Sequence, residues 1–278
     1  MKKISFVKMQ GTGNDFVLIE GTASFSSKTL SALAKKMCHR KYGIGADGLL
    51  VAARSKKALA RMRIFNADGS EPAMCGNGAR CFALYVAQKK KKKDFLIETK
   101  AGFLKAHIDK NRVRLNMTDP YGLKTGICLQ MAGQVYRVDY VNTGVPHVVM
   151  FVDDLDNFAV KEMGRFIREH AEFAPEGTNV NFVKICAPNC IRVRTYERGV
   201  EDETLACGTG TVASAILAFL NSNLNEPKDK ENKLVKFDVE TLSGETLKVY
   251  FKTSAHKNIV DVWLEGPARI VFKGEYYV

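Results

Sequence analysis

No stretch of this sequence is long and apolar enough to cross a membrane. The N-terminal segment MKKISFVKMQGTGNDF carries three lysines but no apolar run of secretory-leader length. A cytoplasmic protein without membrane attachment is the expectation. A disulfide framework is also missing, because the seven cysteines are odd in number and scattered over 278 residues, as suits free thiols in a reducing compartment. Neither Cys186 with Cys190 nor Cys75 with Cys81 has the paired, closely spaced ligands of a structural zinc site, so no metal is expected. The string CGTGTVASA lacks the lysine that completes a phosphate loop. The formal net charge is +12, yet no aromatic residue is interleaved with the run Lys89–Lys93. That run therefore reads as a solvated turn after a helix, and no nucleic-acid partner is expected.

What is present is ordinary globular composition, 46% apolar and 26% charged, in a chain long enough for two domains of usual size. One string occurs twice. CGNG at Cys75–Gly78 returns as CGTG at Cys207–Gly210, and each runs into a stretch of helical composition, ARCFALYVAQ and TVASAILAFL. Each cysteine thus stands at the mouth of a helix, where unpaired N–H groups and the positive end of the dipole favour anions.

The segments around the strings repeat as well. Phe65 and Tyr196 precede their cysteines at nearly equal spacing, Glu98, Thr99 and Gly102 answer Glu240, Thr241 and Gly244, and Pro120 answers Pro267. An internal duplication follows. The expected fold is α+β, with two pseudo-symmetric domains, each a barrel-like, mostly antiparallel sheet around a central helix, and an active site in the cleft between them. The expected boundaries are 1–120, completed by the C-terminal strand 268–278, and 121–267. SKTLSALAKKMC reads as an amphipathic helix capped by Ser26 or Ser27. The GIGADG string, Gly43–Gly48, matches dinucleotide-loop spacing, but a helix precedes it and a strand follows, so it reads as a tight turn. NSNLNEPKDKEN reads as a polar linker insertion.

Two thiols facing one carbon from opposite sides suit a two-base proton transfer: one thiolate removes a proton and the opposing thiol returns one to the other face. A free cysteine titrates near pH ~8.5, close enough to neutrality for one partner to be ionised while the other is protonated. Two helix N-termini would stabilise the carbanion that forms beside a carboxylate. Cys38, Cys81, Cys128, Cys186 and Cys190 read instead as buried small hydrophobes. His147, on a run of valines, taken alone reads as a core histidine.

MQGTGNDF, FNADGSE, CGNGARC, GTNVNF, YERG and ETLACGTG together resemble diaminopimelate epimerase, a cofactor-independent two-cysteine isomerase of lysine and peptidoglycan-precursor synthesis. The resemblance runs from residue 8 to the end of the chain. It implies that Cys75 and Cys207 are the acid/base pair interconverting LL- and meso-diaminopimelate, a small-molecule substrate, commonly in a homodimer. It implies that Asn14, Gly76, Asn77, Gly208 and Thr209 hold the reacting carboxylate and ammonium. Asn66, Asn179, Glu197 and Arg198 would bind the far end, with His147 and Glu197 as proton partners of the cysteines. On this reading Cys75 is grouped with Asn66 and His147, and Cys207 with Glu197 and Arg198.

Three departures accompany the resemblance. Val145 stands where an asparagine often precedes Pro-His, Gly48 where some members have glutamine, and GVEDET replaces a compact GET. Losing a distal amide weakens the rejection of shorter analogues, which keeps a broad-specificity two-cysteine racemase as the rival, while CGNGARC and ERG argue against the proline-type alternative. A basic binding protein without catalysis is the remoter one.

Overall fold

The structure, a computed structural model, describes residues 3–20, 25–131, 133–222, 233–254 and 258–278. The chain forms two compact units, Met1–Asn116 with Glu265–Val278, and Met117–Leu264. The first contains β1 (Lys3–Gly11), β2 (Asn14–Glu20), α1 (Ser27–Cys38), β3 (Gly48–Ala53), β4 (Ala60–Asn66), α2 (Gly76–Lys90), β5 (Asp94–Thr99), β6 (Gly102–Asp109) and β7 (Arg112–Asn116). The second contains β8 (Tyr121–Met131), β9 (Gln134–Asn142), β10 (Pro146–Phe151), α3 (Val160–Arg168), β11 (Asn179–Ala187), β12 (Cys190–Glu197), β13 (Asp202–Thr204), α4 (Gly208–Ser222), β14 (Leu234–Thr241), β15 (Thr246–Thr253) and most of β16 (Ile259–Pro267). β17 (Arg269–Tyr277) returns to the first unit and pairs antiparallel with β1.

The duplication holds at the level of strand pairing. In the first unit β2 runs parallel to β3 across α1, and β4 parallel to β5 across α2. In the second, β10 runs parallel to β11 across α3, and β12 parallel to β14 across α4. Antiparallel pairs fill the rest of each sheet, including β1 with β2, β5 with β6, β9 with β10 and β14 with β15. Each long helix lies inside its own sheet. α2 packs on β1, β2, β3, β4, β6, β7 and β17, while α4 packs on β9, β10, β11, β12, β14 and β15.

Sequence explains why these two helices are central. Both are largely apolar or small around their circumference, α2 apart from Asn77 and Arg80, so burial on all sides is the stable arrangement. Residues 77–84 of α2 are buried without interruption, as are 210–218 of α4. α1 differs in being one-sided: Leu30, Leu33, Ala34, Met37 and Cys38 are buried, and Ser26 caps its first turn by accepting from the Thr29 amide at 3.1 Å. Burial pushes the Cys38 and Cys81 thiols up to about 12, which keeps both protonated and structural at neutral pH.

One expectation changes. Cys128 and Cys186 are exposed and Cys190 is half-buried, so they are not core residues. Cys186 lies at the uncovered far end of β11, while Cys128 on β8 faces away from the core, between the partly buried Ile127 and the fully buried Leu129. The chain passes between the two units at 116/117 and 264/265. Glu265, only 8% exposed, ties the returning segment to β7: its carboxylate accepts from Arg112 Nε at 2.6 Å and Arg114 Nη2 at 2.9 Å. Lys89–Lys93 are exposed at the end of α2, with Lys91 in the left-handed conformation that closes it. Of the expected linker insertion, 223–232 lie outside the described residues. Among the described residues no helix is long and apolar enough to cross a membrane.

Candidate active site

In the first unit the cluster is built at the head of α2. Cys75 occupies the N-cap position with extended backbone, φ −140° and ψ 123°, and its carbonyl accepts the first helical bond from Ala79 at 2.8 Å. Its Sγ donates to Asn14 Oδ1 at 3.8 Å, and Asn77 Nδ2 donates to the same oxygen at 3.4 Å. The structure therefore brings together Asn14, Cys75, Gly76 and Asn77. A Cβ at Gly76 would meet nothing within 4 Å, which leaves the mouth of the helix open. Asn66 sits at the end of β4 in register with Gly48, with its amide donating to Ser70 Oγ at 3.0 Å.

Residues that sequence alone did not single out hold this cluster. Arg80 is fully buried, donates to Asn77 Oδ1 at 2.9 Å and bonds Thr12 Oγ1. Asn14 Nδ2 donates to Asp47 Oδ2 at 2.6 Å. Asp15 and Asp47 each accept the other's backbone N–H at 3.0 Å, and Arg40 bridges both carboxylates. Lys8 completes the network with Asp15 at 2.6 Å. Burial alone would raise Asp15, but hydrogen bonds from Arg40 and Lys8 prevail and bring its carboxyl to about 2. The GIGADG turn thus has a task that its spacing did not reveal: it carries Asp47, the acid that clamps the GTGND turn.

The second unit repeats the plan with other side chains. Cys207 is 9% exposed at the head of α4, with its Sγ 3.5 Å from the Thr209 hydroxyl. Thr211 bonds the Cys207 carbonyl through its backbone N–H at 2.9 Å and its hydroxyl at 2.8 Å. Thr143, in the turn before β10, donates to the Thr209 carbonyl at 3.1 Å. Asn179 links two strands, donating to the Pro146 carbonyl at 2.9 Å and accepting from the Arg198 amide at 3.0 Å. The Arg198 guanidinium donates to the Glu176 carbonyl at 2.9 Å. Burial raises the Glu197 carboxyl above its ordinary range.

His147 lies in this unit, on β10 in register with Asn179, and is fully buried. Asn181 Nδ2 donates to the Val148 carbonyl at 2.9 Å and stands 3.1 Å from His147 Nδ1. A carbonyl only accepts, so the Asn181 amide nitrogen faces both groups and Nδ1 must be the acceptor. The imidazole proton is then on Nε2, which has no partner among the described residues. Burial, reinforced by the positive charge of Arg198, lowers His147 to about 3. At neutral pH this side chain is a hydrogen-bond donor, not a base. Asn181 itself could have been found from the period-2 alternation of GTNVNF, which puts it on the same face of β11 as Asn179.

The model of the diaminopimelate epimerase family matches residues 6–123 and 139–271. The chain belongs to that family. A diaminopimelate epimerase of Hydrogenobaculum sp. (strain Y04AAS1) is 41% identical over 284 residues, covering 96% of either chain. Two solved structures share the fold. A PhzF-family phenazine biosynthesis protein of Bacillus anthracis superposes with a TM-score of 0.76 at 18% identity over 100% of both chains. A hydroxyproline epimerase of Agrobacterium vitis gives 0.68 at 15% identity, covering 98% of this chain and 92% of the other. The family is one of two-domain, sheet-rich α+β isomerases, and the two matched segments fall on the two halves of the duplication.

Proposed function

We propose that this protein interconverts LL- and meso-diaminopimelate, with Cys75 and Cys207 as the two acid/base groups. The observation that carries this is the equivalence of the two cysteines: each begins a helix enclosed by its own sheet, at the same point of a duplicated topology. In the forward step a cysteine thiolate takes the α-proton and becomes a thiol. The electron pair left on carbon is stabilised by the amides at the two helix heads acting on the adjacent carboxylate. The opposing thiol then delivers its proton to the other face and is left as the thiolate. No net electrons are transferred, and the charge states of the two sulfurs are exchanged.

We take the two compact units as the two epimerase domains, each supplying one of the two cysteines. Asn14, Gly76, Asn77, Gly208 and Thr209 hold the reacting carboxylate and ammonium, while Asn66, Asn179, Glu197 and Arg198 hold the distal end. The buried Nε2–H of His147 serves as a hydrogen-bond donor, and Glu197, with its raised carboxyl, is the proton partner of a cysteine. The reading extends to a cytoplasmic homodimer in lysine and peptidoglycan-precursor synthesis, with no metal or organic cofactor. Val145 favours a second reading, in which the specificity is broader. Turnover of proline or of ordinary amino acids at rates near that of diaminopimelate would select it.

Deuterium wash-in tests the chemistry. In heavy water each isomer is assayed separately, and deuterium is expected to enter LL- and meso-diaminopimelate at different rates, since each thiol serves one face. Equal wash-in from both isomers contradicts the two-base reading, and absence of exchange on any amino acid favours a non-catalytic binding protein.

A further inference from the structure

Cys186 and Cys190 lie on the hairpin of β11 and β12, at the opposite end of these strands from Asn179 and Glu197. The strands pair antiparallel as Ile185 with Ile191 and Ala187 with Cys190, and the bulge between these pairs sets both Cys186 and Ala187 against Cys190. Ile185 and Ile191 share one face, so the next residue on each strand, Cys186 and Cys190, turns to the other. Facing residues on paired strands have Cα atoms about 4.5–5.5 Å apart, within the about 4.4–6.8 Å that a disulfide spans. The turn that joins them is held in shape: Asn189 takes the left-handed conformation at φ 57°, and its carbonyl accepts from the Asp238 amide at 2.9 Å.

Both are free thiols, but their surroundings differ. Cys186 is exposed, and its Sγ donates to the Lys184 carbonyl at 3.8 Å. Cys190 is half-buried, in register with Asp238 of β14 and with Glu240 two positions further along that strand. Burial, the neighbouring Cys186 sulfur and these two acids together hold the Cys190 thiol above its ordinary range, which keeps it protonated at neutral pH. An oxidant therefore meets Cys186 first, and Cys190 stands beside the product as an intact thiol.

We propose that Cys186 and Cys190 form a modification site, a dithiol that a hydroperoxide oxidises to a disulfide across the hairpin and that a reducing dithiol restores. The Cys186 sulfur attacks one peroxide oxygen, the O–O bond breaks, and a sulfenic acid and one water form. The Cys190 sulfur then attacks the Cys186 sulfur, the S–O bond breaks, and the hydroxyl leaves with the Cys190 proton as a second water. Two thiols lose two electrons, and one peroxide is reduced to two waters. The site is independent of the proposed epimerase reaction, and its test reads thiols alone. The full-length protein is treated with hydrogen peroxide, its remaining thiols are alkylated, and tryptic peptides are mapped by mass with and without prior reduction by dithiothreitol. Both cysteines fall on the peptide Ile185–Arg192, which should lack two hydrogens and resist alkylation until dithiothreitol is added. Cys190→Ser should stop at the sulfenic acid, with at least about tenfold more dimedone labelling of Cys186 than in the parent. A cross-link from Cys186 to Cys128 or to a second chain overturns the proposal, as does Cys186 carried to sulfinic acid while Cys190 is still alkylated. Equal dimedone labelling in parent and variant also overturns it. Should the variant fail to fold, the peptide map of the parent decides, and the absence of the internal disulfide overturns the proposal.

Discussion

A Cβ placed on Gly210 would come within 2.3 Å of Asn181 Oδ1. Asn181 has no room to yield, because its amide is tied to the Val148 carbonyl and its oxygen accepts from the Thr195 hydroxyl at 3.0 Å. The second glycine of CGTG is therefore fixed by the side chain that sets the tautomer of His147.

Gly210→Ala should force Asn181 off its partners, costing about 1–3 kcal/mol of stability. Activity should fall by more than tenfold. Gly76→Ala faces open space and should keep the stability of the parent. Urea melts and initial rates of the two variants, compared side by side, check the contrast; equal stabilities contradict it.

His147 makes stability depend on pH in a defined direction. Its folded value, lowered from 6.5 to about 3, means that the unfolded chain binds the proton first as pH falls. Stability is intact above pH ~6.5 and should be lost toward pH ~3 at about 1.4 kcal/mol per unit from this group. Replacing His147 by Gln should flatten that slope in urea melts taken at successive pH values. An unchanged slope contradicts the assignment.

The Asp15 cluster acts at lower pH. Its carboxyl is lowered from 3.8 to about 2, so its contribution is present above the ordinary value and is lost as pH falls through the folded one. The contribution is on the order of 2 kcal/mol. Asp15→Asn should leave Lys8 without its acid and Arg40 with Asp47 alone, lower stability at neutral pH, and remove the loss between pH ~4 and ~2. Acid titrations of the wild type and the variant, followed by circular dichroism, measure both.

Glu265→Ala should destabilise by about 1–3 kcal/mol, because it removes a largely buried carboxylate that accepts from two guanidinium groups, each about a third exposed. For Glu265, burial works to raise the carboxyl, and the bonds from Arg112 and Arg114 hold it below its ordinary value. Thermal melts of Glu265→Ala and of the isosteric Glu265→Gln give the cost; a loss under 1 kcal/mol contradicts the buried-pair reading.

The duplicated topology was legible because its markers are local. The two CGxG strings and the helices they start are continuous in sequence, and so is the Ser26 cap. The supports of the site were not legible, since their roles arise from chain segments brought together only by the fold. Asp47 reaches Asn14 across 33 positions, and Arg80 reaches Thr12 across 68. Asn181 offered a faint signal through alternation on β11, and Asp47 none beyond its place in a turn. Cys128 and Cys186 misled for the opposite reason. A lone cysteine in apolar sequence is usually covered, and nothing in the strings says that Cys186 falls at an uncovered strand end or that Cys128 takes the outward face of its strand.

The central claim is that two sulfurs share one reaction, and single replacements measure it most directly. Cys75→Ala and Cys207→Ala, each shown to be folded, are assayed for interconversion of LL- and meso-diaminopimelate in both directions. Each should reduce the rate by at least about a thousandfold, since either loss removes one of two positioned acid/base groups. Full activity in either variant would contradict the account.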